Sequence, residues 1–218
     1  MRTGFPELSE LDAIILDFGG VLFDIDYDAP AHAFKELGLE NFKTIYAKAN
    51  QTLLFDELET GKISNEAFLR EVIKLGNLQA SIAEAETAWN SILTGIPEIR
   101  VQIVHTLKKH KPLYLLSNTN AIHVERFEKM MDDTVGLSRF KSAFEEVYYS
   151  NDIGIKKPDP LTFLQICTWN NLDPKRTLFI DDSPQHVAGA QEAGLQGYHL
   201  ELSKEKFEDI VQDWGITL

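Results

Sequence analysis

The first apolar run of the chain, Ala13-Ile14-Ile15-Leu16, is unbroken, ends on Asp17 and is followed at once by Gly19-Gly20. A short continuous run bounded by turn residues predicts a buried strand that opens into a tight turn. From about residue 27 to 93 the spacing becomes helical, with Phe34, Leu37, Phe42, Ile45 and Tyr46 in one segment and Phe68, Leu69, Val72, Ile73 and Leu75 in another. No strand signal interrupts this stretch. Gly61 with Ser64 as an N-cap breaks it, Gly76-Asn77 ends a helix, and Gly95-Ile96-Pro97 marks the return to a different pattern. Residues 27–93 therefore read as a helical insertion.

After Pro97 the two periodicities alternate. Helices are predicted at 98–110, 121–131, 160–170 and 185–193, and strands at 113–116, 146–149, 177–180 and 197–200. Alternation of this kind implies right-handed crossovers and a doubly wound α/β core, a parallel sheet with helices on both faces. A terminal helix is expected over 203–214. The expected division is a core domain of residues 1–26 and 94–218 with an inserted helical domain of residues 27–93.

Composition narrows the partners. The 218 residues are 44% hydrophobic, enough to fill a sizeable interior, and carry a formal charge of -13. That charge opposes nucleic acid or an anionic membrane, since either calls for a dense basic face. Cys167 is the single cysteine, so no intrachain disulfide is possible, and it reads as a packed helix thiol rather than a reactive one. Residues 1–12 lack the apolar stretch of a signal peptide, and no run approaches the ~20 residues of a membrane span. A soluble cytoplasmic protein is expected; the oligomeric state is not fixed by these features.

Four stretches place polar residues at the ends of apolar runs: Asp17 after Ile14-Ile15-Leu16, Ser117-Asn118 after Leu115-Leu116, Lys156-Lys157-Pro158 in a loop, and Asp181-Asp182 after Phe179-Ile180. In a parallel α/β sheet the carboxyl ends of neighbouring strands face one crevice, where distant residues meet. A carboxylate, a hydroxyl, a lysine and an acidic pair suit metal-assisted phosphoryl transfer. Each also has a plainer reading: Asp17 as a turn residue, Ser117 or its neighbours as a helix N-cap, Lys157 as a surface loop lysine with Lys156 solvated beside it. Adjacent carboxylates after a buried run repel each other unless a cation lies between them, and a hard, oxygen-liking ion such as Mg²⁺ fits. His186 reads first as a residue that caps or packs its helix.

In order and spacing, Asp17, Ser117, Lys157 and Asp181-Asp182 resemble the four motifs of the haloacid dehalogenase superfamily, most of whose members are Mg²⁺-dependent phosphatases; the likeness runs from Asp17 to Gly194. It resembles the subclass whose small α-helical cap follows the first motif, and is similar to its glucose-1-phosphate phosphatase-like group. The resemblance implies Asp17 as nucleophile, Ser117, the Asn118 backbone and Lys157 as phosphate contacts, and Mg²⁺ held by Asp17, the Gly19 carbonyl and Asp182, with Asp181 close by. The cap would select substrate, with Glu57, Glu59, Lys62, Arg70 and Trp89 as candidates, although Trp89 at helical spacing with Ile92 and Leu93 also reads as core.

One position departs from the family pattern. Two residues after the nucleophile the phosphatases usually carry a second aspartate, the general acid-base; here that position is Gly19. Such help is worth roughly 10²–10⁴ in rate, so its absence points to a leaving group that carries negative charge readily, such as the anomeric oxygen of a sugar 1-phosphate or an acyl phosphate. Asp24 and Asp26 are candidate replacements, against their plainer reading as caps. The sequence thus predicts a phosphatase of a small, sugar phosphate-like ester acting through an aspartyl-phosphate. The alternatives are a 2-haloacid dehalogenase, which needs no acidic pair, and a non-catalytic phosphometabolite-binding protein.

Overall fold

A computed structural model of the protein describes residues 5–39, 42 and 53–216. Its main sheet has five parallel strands, β1 (Ala13–Leu16), β4 (Leu113–Ser117), β5 (Glu146–Tyr149), β6 (Thr177–Asp181) and β7 (Gln196–His199), in the order β5-β4-β1-β6-β7. β1 lies in the middle, and the order reverses around it, which opens a crevice at its carboxyl end.

Strand periodicity sends alternate side chains to two cores. Ile14, Leu16, Leu113, Leu115, Leu178 and Ile180 face the helices Glu98–Leu107, Ala121–Thr134 and Phe207–Val211. Ala13, Ile15, Tyr114, Leu116 and Phe179 face the helices Pro160–Asn170 and Pro184–Glu192. Cys167 is packed in this second core, where burial pushes its thiol pKa up to about 11. Covered on both sides, the strands read as continuous apolar runs rather than alternating ones. Helix 98–107 is shorter than predicted, and the terminal helix is the short Phe207–Val211 followed by a single 3-10 turn.

A second, antiparallel pair was invisible to periodicity. β2 (Asp24–Ile25) and β3 (Leu93–Gly95) are too short to alternate detectably, yet they pair, and they bracket the helical stretch. The buried Arg100 anchors this pair to the core by donating to Asp24 Oδ1 (2.7 Å), to the Leu22 carbonyl (3.3 Å) and to Glu208 Oε1 (3.1 Å).

Between β2 and β3 the described residues include the helices Ala29–Glu36, Leu54–Glu59, Asn65–Gly76 and Ile82–Asn90, with a core of their own that includes Phe34, Phe55, Phe68, Val72 and Trp89. Ser64 caps its helix by accepting from Ala67 N, Asn77 ends that helix in the left-handed region, and Ser81 and Glu84 form a capping box. Of the predicted segment around Phe42, Ile45 and Tyr46 lie outside the described residues. No helix among the described residues is long and apolar enough to cross a membrane.

Candidate active site

Asp17 follows β1, Ser117 ends β4 and Asp181 ends β6, so three adjacent strands deliver them to one crevice. Lys157 enters from the loop between the short helix Ser150–Ile153 and helix 160–170 and is 1% exposed. Its Nζ donates to Asp17 Oδ1 at 2.5 Å and to Asp181 Oδ2 at 2.7 Å. Burial works against the ammonium, but the two carboxylates outweigh it and hold its pKa above the ordinary lysine value.

The Asn118 side chain fixes this lysine's main chain. Its Nδ2 donates to the Lys157 carbonyl (2.8 Å), and Lys157 N donates to Asn118 Oδ1 (3.0 Å), as a neighbouring strand would. Sequence reasoning considered only the Asn118 backbone. Asn120 caps helix 121–134 by accepting from His123 N at 3.1 Å.

The acidic pair divides its tasks. Asp181 accepts from Lys157, from Ser183 N (2.7 Å) and from His186 Nδ1 (3.0 Å). Burial opposes its charge, yet the Lys157 ammonium, followed by His186, holds its carboxyl below the usual range. Asp182 accepts from Tyr27 OH at 3.1 Å, and its pKa is raised by burial and then by the charge of Asp181. Burial, with Asp182 next, also raises the pKa of Tyr27, so the phenol keeps its proton and donates. Gly20 permits this packing, because a Cβ there would lie 2.6 Å from Asp182 Oδ2, on a backbone with φ +80°.

Asp17, Asp181 and Asp182 each bring an oxygen within 4.8 Å of the others. Burial, and then Asp181, push the Asp17 carboxyl up to about 7. Above them is a cavity of about 860 Å³ whose wall, among the described residues, carries four carboxylates, Asp17, Asp28, Glu59 and Asp182, against two ammonium groups, Lys156 and Lys157. Crowded oxygens, raised pKa values and an unbalanced wall fit a divalent oxygen-liking cation held by these acids.

Ser117, Asn118 and Gly19 also line the cavity. A side chain at Gly19 would point at Ile25, whose Cδ1 lies 3.3 Å from the added Cβ. Neither candidate replacement acid faces this space: Asp24 is held by Arg100, and Asp26 Oδ1 accepts from Asp28 N and Ala29 N.

Two expectations need correction. Lys156 is not simply solvated; it pairs with Asp56 and, at 2.7 Å, with Glu59 of helix 54–59. His186 makes no capping bond to its helix; it bonds to Asp181 and lines the cavity. Its place in the first turn of helix 184–192, five residues after Asp181, was the available signal; Tyr27 left none, being 155 residues from its partner. Of the insertion residues considered for substrate contact, Glu59 and Trp89 line the cavity and Glu57, Lys62 and Arg70 do not. Trp89 is also core, stacked between Phe55 and His123 with centroids at 5.7 and 5.4 Å. His123 accepts from Asn120 Nδ2 at Nδ1 (3.1 Å) and donates from Nε2 to the Trp89 carbonyl (3.3 Å), tying core to insertion.

Residues 11–194 match the family model of the haloacid dehalogenase-like hydrolases. The chain is 30% identical, over 86% of its length and 91% of the relative's, to a D-ribitol-5-phosphate phosphatase of Bacteroides thetaiotaomicron. Among solved structures it resembles a haloacid dehalogenase family enzyme of the same organism in complex with magnesium and inorganic phosphate (TM-score 0.78, 28% identity, 92% of this chain and 98% of that one). It also resembles a protein of Porphyromonas gingivalis described as a predicted hydrolase of the same family (TM-score 0.80, 26% identity, 95% and 100%).

Proposed function

Because the chain belongs to the haloacid dehalogenase-like hydrolase family, we propose that it is a Mg²⁺-dependent phosphatase of a small, sugar phosphate-like ester with Asp17 as its nucleophile. The observation that carries this reading is the buried Asp17–Lys157–Asp181 chain at the floor of a cavity, with Asp182 within ligand distance. Asp17 attacks phosphorus in line, the ester oxygen departs, and water then hydrolyses the aspartyl-phosphate. Lys157 and the Ser117 hydroxyl hold equatorial oxygens, where charge spreads in the transition state, with the Asn118 backbone beside them.

Asp17, Asp182 and the Gly19 carbonyl would hold Mg²⁺, with Asp181 adjacent. When bound, the ion supplies the positive charge that lets a phosphate dianion approach three carboxylates. Asp181, whose oxygens already accept from three residues, serves chiefly to orient Lys157. Residues 27–93 act as a cap over the 1–26 and 94–218 core, hinged at β2 and β3.

The relatives support a phosphate ester as substrate, one of them being a polyol phosphate phosphatase. Gly19, with Ile25 filling the adjoining space, favours a leaving group that departs without a proton, such as a sugar 1-phosphate. The clustered acids count against a metal-free haloacid dehalogenase. A cytoplasmic site of action fits the single buried Cys167. The test is phosphate release from a panel of sugar 1-phosphates, sugar 6-phosphates, polyol phosphates and acyl phosphates, with Mg²⁺ and with EDTA. Metal-dependent release that disappears in Asp17→Asn is expected. An intact, folded protein that releases phosphate from none of them would refute the proposal.

A further inference from the structure

Resting on that reading, we propose that Lys156 and Glu59 in the cavity wall, with Asp56 paired to Lys156 behind them, form a charge filter. It admits phosphate esters whose remainder is uncharged and hydroxyl-bearing and rejects those with a second anionic group.

Lys156 and Lys157 are consecutive, but their side chains part. Lys157 goes down to Asp17 and Asp181, while Lys156 goes to Asp56 and Glu59 on helix 54–59. One loop thus sets both the reaction floor and part of the substrate-facing wall. Among the described residues, Lys156 is the one ammonium of that wall apart from Lys157. It is already matched by two carboxylates, so the local charge is negative, and Asp28 adds a further negative charge to the wall.

Among the described residues, a second carboxylate or phosphate on the substrate would meet no uncompensated cation there and would face like charge, which costs affinity and supplies discrimination. A hydroxyl fares differently. It can donate to Glu59 or Asp28 and accept from Lys156, each a charge-assisted hydrogen bond. The stacked Phe55 and Trp89 give the same wall an apolar surface for the carbon skeleton.

Glu59 is held rigidly enough to discriminate. Two residues beyond the end of its helix, Gly61 is pressed so closely on the Asn151 carbonyl that an added Cβ would lie 2.2 Å from that oxygen. Replacing the acids by amides therefore changes charge with little change of shape.

The test uses matched pairs that differ by CH₂OH against COO⁻: glycerol 3-phosphate against 3-phosphoglycerate, and sorbitol 6-phosphate against 6-phosphogluconate. Both kcat/KM with Mg²⁺ and calorimetric Kd are measured. The wild type is expected to favour the neutral member by about tenfold or more. Asp56→Asn/Glu59→Gln, which frees Lys156, should shrink that ratio at least severalfold or invert it, and Lys156→Met should leave the anionic members disfavoured. Hydrolysis of both members at equal efficiency, or an unchanged ratio in the double variant, would overturn the filter and leave the phosphatase reading standing. Binding that discriminates in the expected way without turnover would sink the phosphatase reading and support the filter. No binding of any member would overturn both.

Discussion

Restoring a carboxylate at position 19 tests the account of the leaving group. Gly19 has a backbone conformation open to L-residues, and an added Cβ meets only Ile25, at 3.3 Å to Cδ1 and 3.8 Å to Cγ2. The nearer contact is the far end of a flexible side chain, so Gly19→Asp should cost about 1 kcal/mol of stability or less. Ile25→Val in the same chain trims the contacted methyl. The gain sought is general-acid help of about 10²–10⁴ in rate, which is about 3–5 kcal/mol of barrier. It should appear only where the departing oxygen needs a proton. The assay is kcat/KM at saturating Mg²⁺ for polyol and sugar 6-phosphates, a sugar 1-phosphate, an aryl phosphate and acetyl phosphate, with Tm checking the fold. The variant should gain most on the alkyl esters and little on the acyl and aryl ones, flattening the dependence on leaving-group basicity. An equal change across the series, or no gain on alkyl esters in a folded, metal-binding variant, would show that the wild type already has its acid and refute the reasoning.

Four further outcomes are expected. Gly20→Ala places a methyl against Asp182 at a positive φ; it should lose about 1–2 kcal/mol to strain and weaken Mg²⁺ binding roughly tenfold or more, read by unfolding and by metal titration. Asn118→Ala strands the Lys157 amide and carbonyl; at about 1–3 kcal/mol for an unsatisfied group, both Tm and kcat should fall, and an unchanged kcat would remove Asn118 from the positioning of Lys157. Burial pushes the His123 pKa down to about 4 from the ordinary value near 6.5. The unfolded chain then binds the extra proton first as pH falls. His123 therefore costs no stability above about pH 6.5 and progressively more toward pH 4, up to about 3 kcal/mol, a ceiling because the residue is only half-buried. His123→Gln should flatten the denaturant-measured stability profile by that amount across the window. Finally, Mg²⁺ at a hundred times its Kd should stabilise the wild type by about 2.7 kcal/mol, and Asp182→Asn should abolish most of that rise.

The legible parts of the chain were those governed by local rules. The Ala13–Leu16 and Thr177–Asp181 runs are buried on both faces, so continuous apolarity alone located them. Their terminal carboxylates were conspicuous because such runs give no other reason for charge. The helical insertion was legible through Ser64, Gly76 and Asn77, whose backbone roles are local. What escaped depended on distance in sequence. β2 and β3 exist because the 67 residues between them close a loop, and neither is long enough to declare a period. The partners of Tyr27 and Lys156 lie 155 and about 100 residues away, and side-chain direction in a loop obeys no repeat. Asn118 was recognised by position, but its amide could be assigned to Lys157 only once both loops were placed side by side.

The charge arrangement links the two levels of the site. Lys157 can stay buried as an ammonium because Asp17 and Asp181 flank it, and Asp17 is thereby aimed into the cavity rather than left free to rotate. That leaves Asp182 and part of Asp17 without a basic partner, a deficit suited to a divalent ion and then to the phosphate dianion it attracts. One residue earlier, Lys156 satisfies acids of the helical insertion instead. Any movement that lifts helix 54–59 from the core must break those pairs and pull on the main chain that carries Lys157. That main chain is clamped by Asn118, so the strain falls on the pairs at the cavity roof and the reaction floor keeps its geometry. On the proposed reading, residues 27–93 would open for exchange of substrate and product while Asp17 and Lys157 stay in register.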